Sequence, residues 1–315
     1  MADTILLESG TNEVEILEFF LESQSFGINV AKISQILPFD KEKLTVVPND
    51  DKAILGTLLW HGQTIPLIDL SIALNGKEST ATDVRKIVLV TEFNGVINGF
   101  LTDGVSRIFR NSWDNISPLS NFLEKYSSTV TGSIKVDERE ILLVDFEFVV
   151  AEIFPDTKMG YQDLGLEEIP QNNTRETKNI IFSEDSPFIR STIIKLLTQS
   201  GYGQIKAFEN GLDALNYIEE SVGASKQENA PINKFVDLVI SDIEMPKMDG
   251  LTLCRVIKKD LGLGKVPVII FSSLVNEQMI QKCKEVGADG YTTKPQVNDL
   301  LQKMDKLLGV SPAVM

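Results

Sequence analysis

The chain has 315 residues, 43% of them hydrophobic and 24% charged, and a formal net charge of −15 at pH 7. That length exceeds what one hydrophobic core usually fills, and the composition is ordinary for a globular chain, so two domains are expected. No apolar run approaches the roughly 20 residues a bilayer span needs. The first residues show no basic stretch leading into an apolar one, and no basic patch tracks a phosphate backbone, so a cytoplasmic chain with no membrane insertion and no nucleic-acid partner is expected. The acidic excess lies in front: residues 1–155 carry 23 acidic and 12 basic side chains, residues 178–315 carry 17 and 16. A solvated acidic surface is a plainer account of it than an electrostatic dock. Cys254 and Cys283 have no CxxC spacing and no histidine partner, so both are read as small apolar residues in a reducing compartment.

The first 154 residues show no helical repeat. They present short β-rich runs instead, VEILEFFLE, SFGINV, GTLLW, TIPLIDL, KIVLVTEF, GVINGFLTD, GVSRIF and EILLVDFEFV, punctuated by Gly and Pro at hairpin-like intervals. An all-β barrel or sandwich is predicted, with KISQIL and FLEKYSST as brief helical or loop connections. Catalytic parts are scarce in this half: one histidine, His61, no cysteine, no Gly-rich phosphate loop and no metal-ligand spacing. Asp69 and Asp103 read as turn or edge carboxylates rather than an acid/base pair, because no nucleophile, base and orienting partner can be assembled around them. This half therefore reads as a binding module. His61 lies between β segments, where a turn histidine, exposed or packed on Trp60, competes with a partner contact. A phosphoacceptor histidine would belong on a helical bundle. Trp60 and Trp113 read as core or turn filler, although an exposed Trp60 would make a good anchor.

After ILLVDFEFVVAEIF, read as an apolar strand, the segment PDTKMGYQDLGLEEIPQNNTRETK is polar, carries two Pro and two Gly, and has no sustained period. It reads as a linker over residues 155–177, flexible or docked, with a short helix over Asp163–Ile169 left open. From residue 178 strand and helix alternate five times. NIIFS leads to Glu184-Asp185, with Ser186-Pro187 as N-cap and first residue of the helix FIRSTIIKLLTQ. QIKAF leads to Asn210-Gly211, the helix GLDALNYIEE and a long loop, SVGASKQENAPINK. FVDLVIS ends at Asp242, followed by the loop IEMPKMDG and the helix TLCRVIKK. VPVIIFS ends at Ser272, and GADGYT is followed by Lys294-Pro295 and the closing helix NDLLQKMDKLL. Such alternation predicts a parallel sheet between two helical layers. The stretch beyond Lys294 is too short for a DNA-binding module, so the output is expected upstream or in another protein.

In an open parallel sheet ligands bind beyond the carboxyl ends of the strands, where strand order reverses. Glu184-Asp185, Asp242, Ser272 and Lys294 each end or follow a strand of interior character. Singly, such residues are usually solvated decoration. Together, on successive strands, they make a phosphoryl-accepting site. Transfer of an anionic phosphoryl group to a carboxylate requires the mutual repulsion to be cancelled by a hard divalent cation on oxygen ligands, and a cluster this small suits Mg²⁺ better than Ca²⁺. Asp185 and Asp242 are the expected ligands with Glu184 beside them, Asp242 is the nucleophile, Lys294 a point charge for the phosphate and Ser272 a hydroxyl donor to it.

Residues 178–311 resemble the two-component receiver domain, through SED at Glu184-Asp185, SDIEMPKMDG from Asp242 to Gly250, FSS at Ser272 and YTTKP from Tyr291 to Pro295. The resemblance implies a flavodoxin-like fold with a doubly wound, five-stranded parallel sheet. It also implies phosphorylation at Asp242, metal ligation by Asp185, Asp242 and the backbone carbonyl of Glu244, and Tyr291 as the switch aromatic. Glu184 stands where Asp is commoner, lengthening the arm while keeping the charge, and Ser273 stands where a small apolar residue is usual.

Residues 13–154 resemble the CheW chemotaxis adaptor, through SFGINVAKISQIL, GTLLWHGQTIPLIDL, GVINGFLTDGVSRIF and VTGSIKVDEREILLVDFEFVV. The order of the two domains resembles CheV-type coupling proteins. This implies paired small SH3-like β-barrels without catalytic activity, bridging chemoreceptor tips and the chemotaxis histidine kinase at membrane receptor arrays. By position, Ile33, Gln35 and Ile36, with the turn at His61-Gly62, fall where the family contacts receptors, and Gly56, Gly62 and Pro66 shape the barrel turn. Where the family commonly has Asn-Leu-Arg-Gly, this chain reads Leu59-Trp60-His61-Gly62, replacing a permanent charge by a partial one. The expected function is a non-enzymatic coupling adaptor regulated by phosphoryl transfer from the kinase to Asp242, in adaptation. A phosphate sink, or an enzyme in the β-rich half governed by a receiver, are the alternatives.

Overall fold

A computed structural model describes residues 10–48, 51–82, 84–93, 96–117, 129–136, 138–154, 174–273, 277–294 and 296–310. The chain divides into two compact units, one of residues 14–111 and 115–158, the other built mainly from residues 159–315.

The first unit holds two five-stranded sheets. One has the order β8-β1-β2-β10-β9, from β1 (Glu13–Leu21), β2 (Gln24–Asn29), β8 (Gly104–Ser112), β9 (Val130–Val136) and β10 (Arg139–Val144). The other has the order β3-β6-β7-β5-β4, from β3 (Ile33–Pro38), β4 (Ile54–Trp60), β5 (Gln63–Asp69), β6 (Ile87–Phe93) and β7 (Val96–Thr102). Leu17, Phe19 and Phe26 of the first sheet and Ile68, Leu89 and Phe100 of the second bury their side chains in one shared core, so neither sheet leaves its apolar face to water. The β4–β5 connection has only two residues, His61 at φ +45° and Gly62 at φ +80°. Positive φ at both positions is the hairpin geometry that matches strand twist. Gly56, at φ +144°, marks a register shift in β4, and a Cβ there would meet the Thr45 carbonyl oxygen at 2.3 Å. Pro66 pairs with Thr57 in mid-strand instead of shaping a turn.

Two segments depart from the sequence reading. KISQIL, expected as a helical or loop connection, supplies β3: its residues alternate between half-buried and exposed, and β3 pairs antiparallel with β6. EILLVDFEFV is a strand only to Val144. Asp145 then accepts hydrogen bonds from the amides of Glu147 and Phe148 and caps helix α2 (Phe146–Ile153). Asp69 does the same for the six-residue helix α1 (Leu70–Asn75). An aspartate directly after an apolar strand thus ends the strand twice, by offering the amides a better acceptor than the ladder. FLEKYSST falls, except for Thr129, outside the described residues.

The second unit has one parallel sheet in the order β12-β11-β13-β14-β15, from β11 (Asn179–Ser183), β12 (Gln204–Phe208), β13 (Leu238–Ser241), β14 (Val268–Ser272) and β15 (Gly290–Thr293). This is the doubly wound, flavodoxin-like order, with its switch point between β11 and β13. Helices α3 (Pro187–Gln199), α4 (Gly211–Gln227), α5 (Gly250–Arg255), α6 (Glu277–Val286) and α7 (Val297–Leu308) cover both faces. One face packs Ile181, Val239 and Ile270 under α4, α5 and α6, the other Phe182, Ile240 and Phe271 under α3 and α7. Helix α4 runs seven residues beyond GLDALNYIEE, because Ser221 turns its hydroxyl back to the Tyr217 carbonyl and does not break the turn. After α5 the chain widens into a π-helix over Val256–Asp260.

Of the expected linker, residues 155–173 lie outside the described residues. At its end Arg175 is buried, with Nε and Nη2 on the Asp305 carboxylate of α7 at 2.9 and 2.6 Å and Nη1 on the Ser200 carbonyl at 2.6 Å. A planar fork on a carboxylate is the strong form of an ion pair. Among the described residues no helix is long and apolar enough to cross a membrane.

Candidate phosphoryl-acceptor site

The carboxyl ends of β11, β13, β14 and β15 carry the polar residues marked in the sequence. Lys294 follows β15 and is buried at 2% exposure, with Nζ 2.9 Å from Asp242 Oδ2 and 2.7 Å from Glu184 Oε2. Asp242 Oδ1 accepts the Ile243 amide at 2.6 Å, and its own amide donates to the Ser183 carbonyl at 3.0 Å. Behind it, the Ser183 hydroxyl donates to Ser241 Oγ, which donates to the Asp242 carbonyl. The backbone of Asp242 is thereby fixed on both sides.

Carboxylate oxygens of Glu184, Asp185 and Asp242 lie within 4.8 Å of one another. Burial, the main cause, pushes the Glu184 carboxyl well above the usual carboxylate range. Lys294 pulls it back, and Asp242 and Asp185 push it further up. Three clustered carboxylates against one buried ammonium leave negative charge in a low-dielectric place, and an all-oxygen set of this size fits a small hard dication. Ser272 ends β14, is 1% exposed, and its carbonyl accepts the Lys294 amide. Glu244, half-buried, is two residues beyond Asp242 in the loop to α5. Tyr291 lies in β15 opposite Ile270, with Lys303 of α7 5.6 Å over its ring and donating to its carbonyl at 2.6 Å. Asp249 accepts from the amides of Leu251 and Thr252 and caps α5, and burial raises its carboxyl. A Cβ on Gly250 would lie 1.8 Å from the Asp242 carbonyl oxygen, so only glycine lets α5 start this close to Asp242.

Sequence reasoning missed one residue of this neighbourhood. Arg190, on the first turn of α3, reaches back with Nη1 2.6 Å from the Glu184 carbonyl and 3.0 Å from that of Asp185. Its spacing, five residues beyond Asp185 on a capped helix, was the available signal.

In the first unit the structure brings two of the five marked partner residues into one patch. Trp60 Nε1 donates to Gln35 Oε1 at 2.7 Å, tying the edge strands β3 and β4, and the His61 ring stands edge-on to Trp60 with centroids 4.5 Å apart. His61 and Gly62 are exposed, Ile36 is 40% exposed and Ile33 half-buried. Leu59, at 76% exposure, and Val46, at 75%, are exposed apolar side chains that the sequence reading did not mark as partner-facing.

Residues 15–154 match the CheW-like domain and residues 180–305 the response regulator receiver domain. The chain is 29% identical to the chemotaxis protein CheV3 of Helicobacter pylori, over 98% of this chain and 99% of that one. It is 27% identical to CheV2 of the same organism, over 94% and 95%. The chain joins a CheW-like domain to a receiver domain, and as a whole it is similar to CheV proteins. Its CheW-like domain is also similar to the scaffolding protein TtCheW from Thermoanaerobacter tengcongensis, at 19% identity and a TM-score of 0.39, covering 43% of this chain and 86% of that one. In this chain the β-rich unit is the CheW-like domain and the five-stranded parallel sheet is the receiver.

Proposed function

We propose that the CheW-like domain couples chemoreceptors to the chemotaxis histidine kinase, and that the kinase passes a phosphoryl group to Asp242, resetting that coupling in adaptation. The observation that carries this reading is the buried Lys294, held between Asp242 and Glu184 at the end of a parallel sheet, in a chain whose other half is CheW-like. A carboxylate oxygen of Asp242 forms the new bond to phosphorus as the bond to the donor's histidine nitrogen breaks. Asp185, Asp242 and the backbone carbonyl of Glu244 would hold a magnesium ion, which would supply the charge that cancels repulsion between the phosphoryl group and the acidic cluster. Lys294 then turns its ammonium from Asp242 Oδ2 to a phosphate oxygen, and the Ser272 hydroxyl donates to another. Withdrawal of Lys294 and Ser272 toward the phosphate biases the β15 face, where Tyr291 packs beside Lys303, between two arrangements.

Ile33, Gln35, Ile36, His61 and Gly62 are the partner-facing residues in this reading, and the chain works in the cytoplasm at receptor arrays without a separate catalytic activity. Receptor-containing membranes, kinase and the full chain are sedimented together, and kinase activity is read with wild type and with Asp242→Ala. Coupling by both proteins, with adaptation lost only in D242A, is the expected result. A chain that sediments with neither receptor nor kinase would end the adaptor reading, and D242A with normal adaptation would end the regulatory one.

A further inference from the structure

Arg190 grips the acidic cluster by its backbone and not by its carboxylates. One nitrogen, Nη1, serves two consecutive carbonyls, those of Glu184 at 2.6 Å and Asp185 at 3.0 Å, and the other, Nη2, meets Glu209 at 3.0 Å. Those two carbonyls belong to the residues that carry two of the three clustered carboxylates. Two successive carbonyls on one cation can hold only a narrow range of backbone torsions, since in extended chain they would point apart. The same segment is pinned at three more points. The Glu184 amide donates to the Phe208 carbonyl at 3.0 Å, the Ser186 amide to Glu184 Oε1 at 3.3 Å, and Ser186 caps α3 through the Ile189 amide at 3.4 Å. Of these contacts, the one from Arg190 alone grips the carbonyl side of both acidic residues.

We infer that Arg190 is a positioning residue for the dication site: by holding the carbonyls of Glu184 and Asp185 behind the loop, it turns their carboxylates together toward Asp242. The inference rests on the proposed phosphoryl-acceptor role. The geometry assigns the work to the carbonyl contacts, because the remaining partner, Glu209, is 75% exposed and an exposed ion pair holds little in place. Partners that orient ligating carboxylates from behind typically cost about 10- to 100-fold in metal affinity when removed. A lost cradle would also show as a requirement for more metal, not as a lost nucleophile.

The test is Mn²⁺ binding to the full chain, followed by electron paramagnetic resonance of the free ion, for wild type, Arg190→Met and Glu209→Gln, with a thermal melt of each. Arg190→Met is expected to bind Mn²⁺ about tenfold more weakly, and its labelling by a small acyl phosphate donor should return to the wild-type level once Mg²⁺ is raised by the same factor. Glu209→Gln should stay within about twofold of wild type. If the methionine variant fails to fold, Arg190→Gln takes its place in the same comparison. A folded Arg190 variant with wild-type Mn²⁺ affinity overturns the inference, and so does a loss in Glu209→Gln as large as that in Arg190→Met. Wild type that binds no Mn²⁺ would overturn the functional reading itself, and this inference with it.

Discussion

Lys294 and Asp242, 52 residues apart in the chain, meet through a 2.9 Å ion pair in which neither side chain is more than 8% exposed, and the same ammonium holds Glu184 at 2.7 Å. One ammonium thus faces two of the three clustered carboxyl groups, and the oxygen set they make with Asp185 is what a dication would complete. Breaking a buried pair from one side is costly, because the partner is left charged and desolvated.

Lys294→Met should therefore lower the unfolding free energy by about 3 kcal/mol in the presence of a chelator. Millimolar Mg²⁺ should return part of that loss, since a ligand that binds only the folded state stabilises it by mass action. Urea unfolding with and without the metal reads both effects. Equal stability of the two proteins in chelator would mean that the ion pair does not hold the site.

Gly250 bears on fold and site together. Gly250→Ala should cost about 3 kcal/mol, because a Cβ 1.8 Å from the Asp242 carbonyl oxygen forces the start of α5 away from the acceptor loop. Thermal unfolding reports the loss, and phosphoryl labelling should fall in the fraction that remains folded. An alanine variant as stable as wild type would refute the close approach.

Asp69 sets a pH dependence in the CheW-like domain. Burial raises its carboxyl above the ordinary value, although the Ile72 amide, Lys86 and the Ser71 amide pull it down. A raised folded-state value means that the folded chain holds the proton more tightly than the unfolded one. The associated stability is present below the ordinary value, about pH 4, and is lost as pH rises through the folded one. Asp69→Asn keeps an acceptor for the cap but cannot ionise. Its stability relative to wild type should therefore improve as pH rises from about 4 to about 7. Urea midpoints across that range test the sign, and a shift in favour of wild type would contradict it.

Cys254 and Cys283 are buried thiols pushed up to about 12, chiefly by desolvation. The thiolate is the reactive form, so neither should react with a disulfide reagent at about pH 8 until the chain unfolds. Rapid modification of the native protein would contradict their burial.

The receiver was legible because its chemistry and its burial coincide. VPVIIFS and FVDLVIS are apolar on both faces, as a sheet covered by helices on both sides requires, and each leads to a polar residue that the topology brings to the switch point. The misread segments share a cause, since local pattern there agrees with more than one state. Ile33, Ile36 and Leu37 have helical spacing, yet the pairing of β3 with β6 overrides it. In DFEFVVAEI the alternating aromatics and paired valines suggest a strand, while the Asp145 cap decides for helix. Gly223 and the serines of SVGASKQ read as a loop, but the helix continues through them, with the Ser221 hydroxyl bonded back to the Tyr217 carbonyl. Arg190 escaped because its role lies in backbone contacts, which carry no residue-type signature at their acceptor end.

That a carboxylate in this acidic pocket accepts phosphate is the central claim. Its direct test is incubation of the full chain with phosphorylated chemotaxis histidine kinase and Mg²⁺, followed by mapping of the acid-stable reduced derivative of the labelled aspartate. Label at Asp242, lost with chelator and absent from Asp242→Asn, is the predicted result. No label at that position, or undiminished labelling of the asparagine variant, would contradict it.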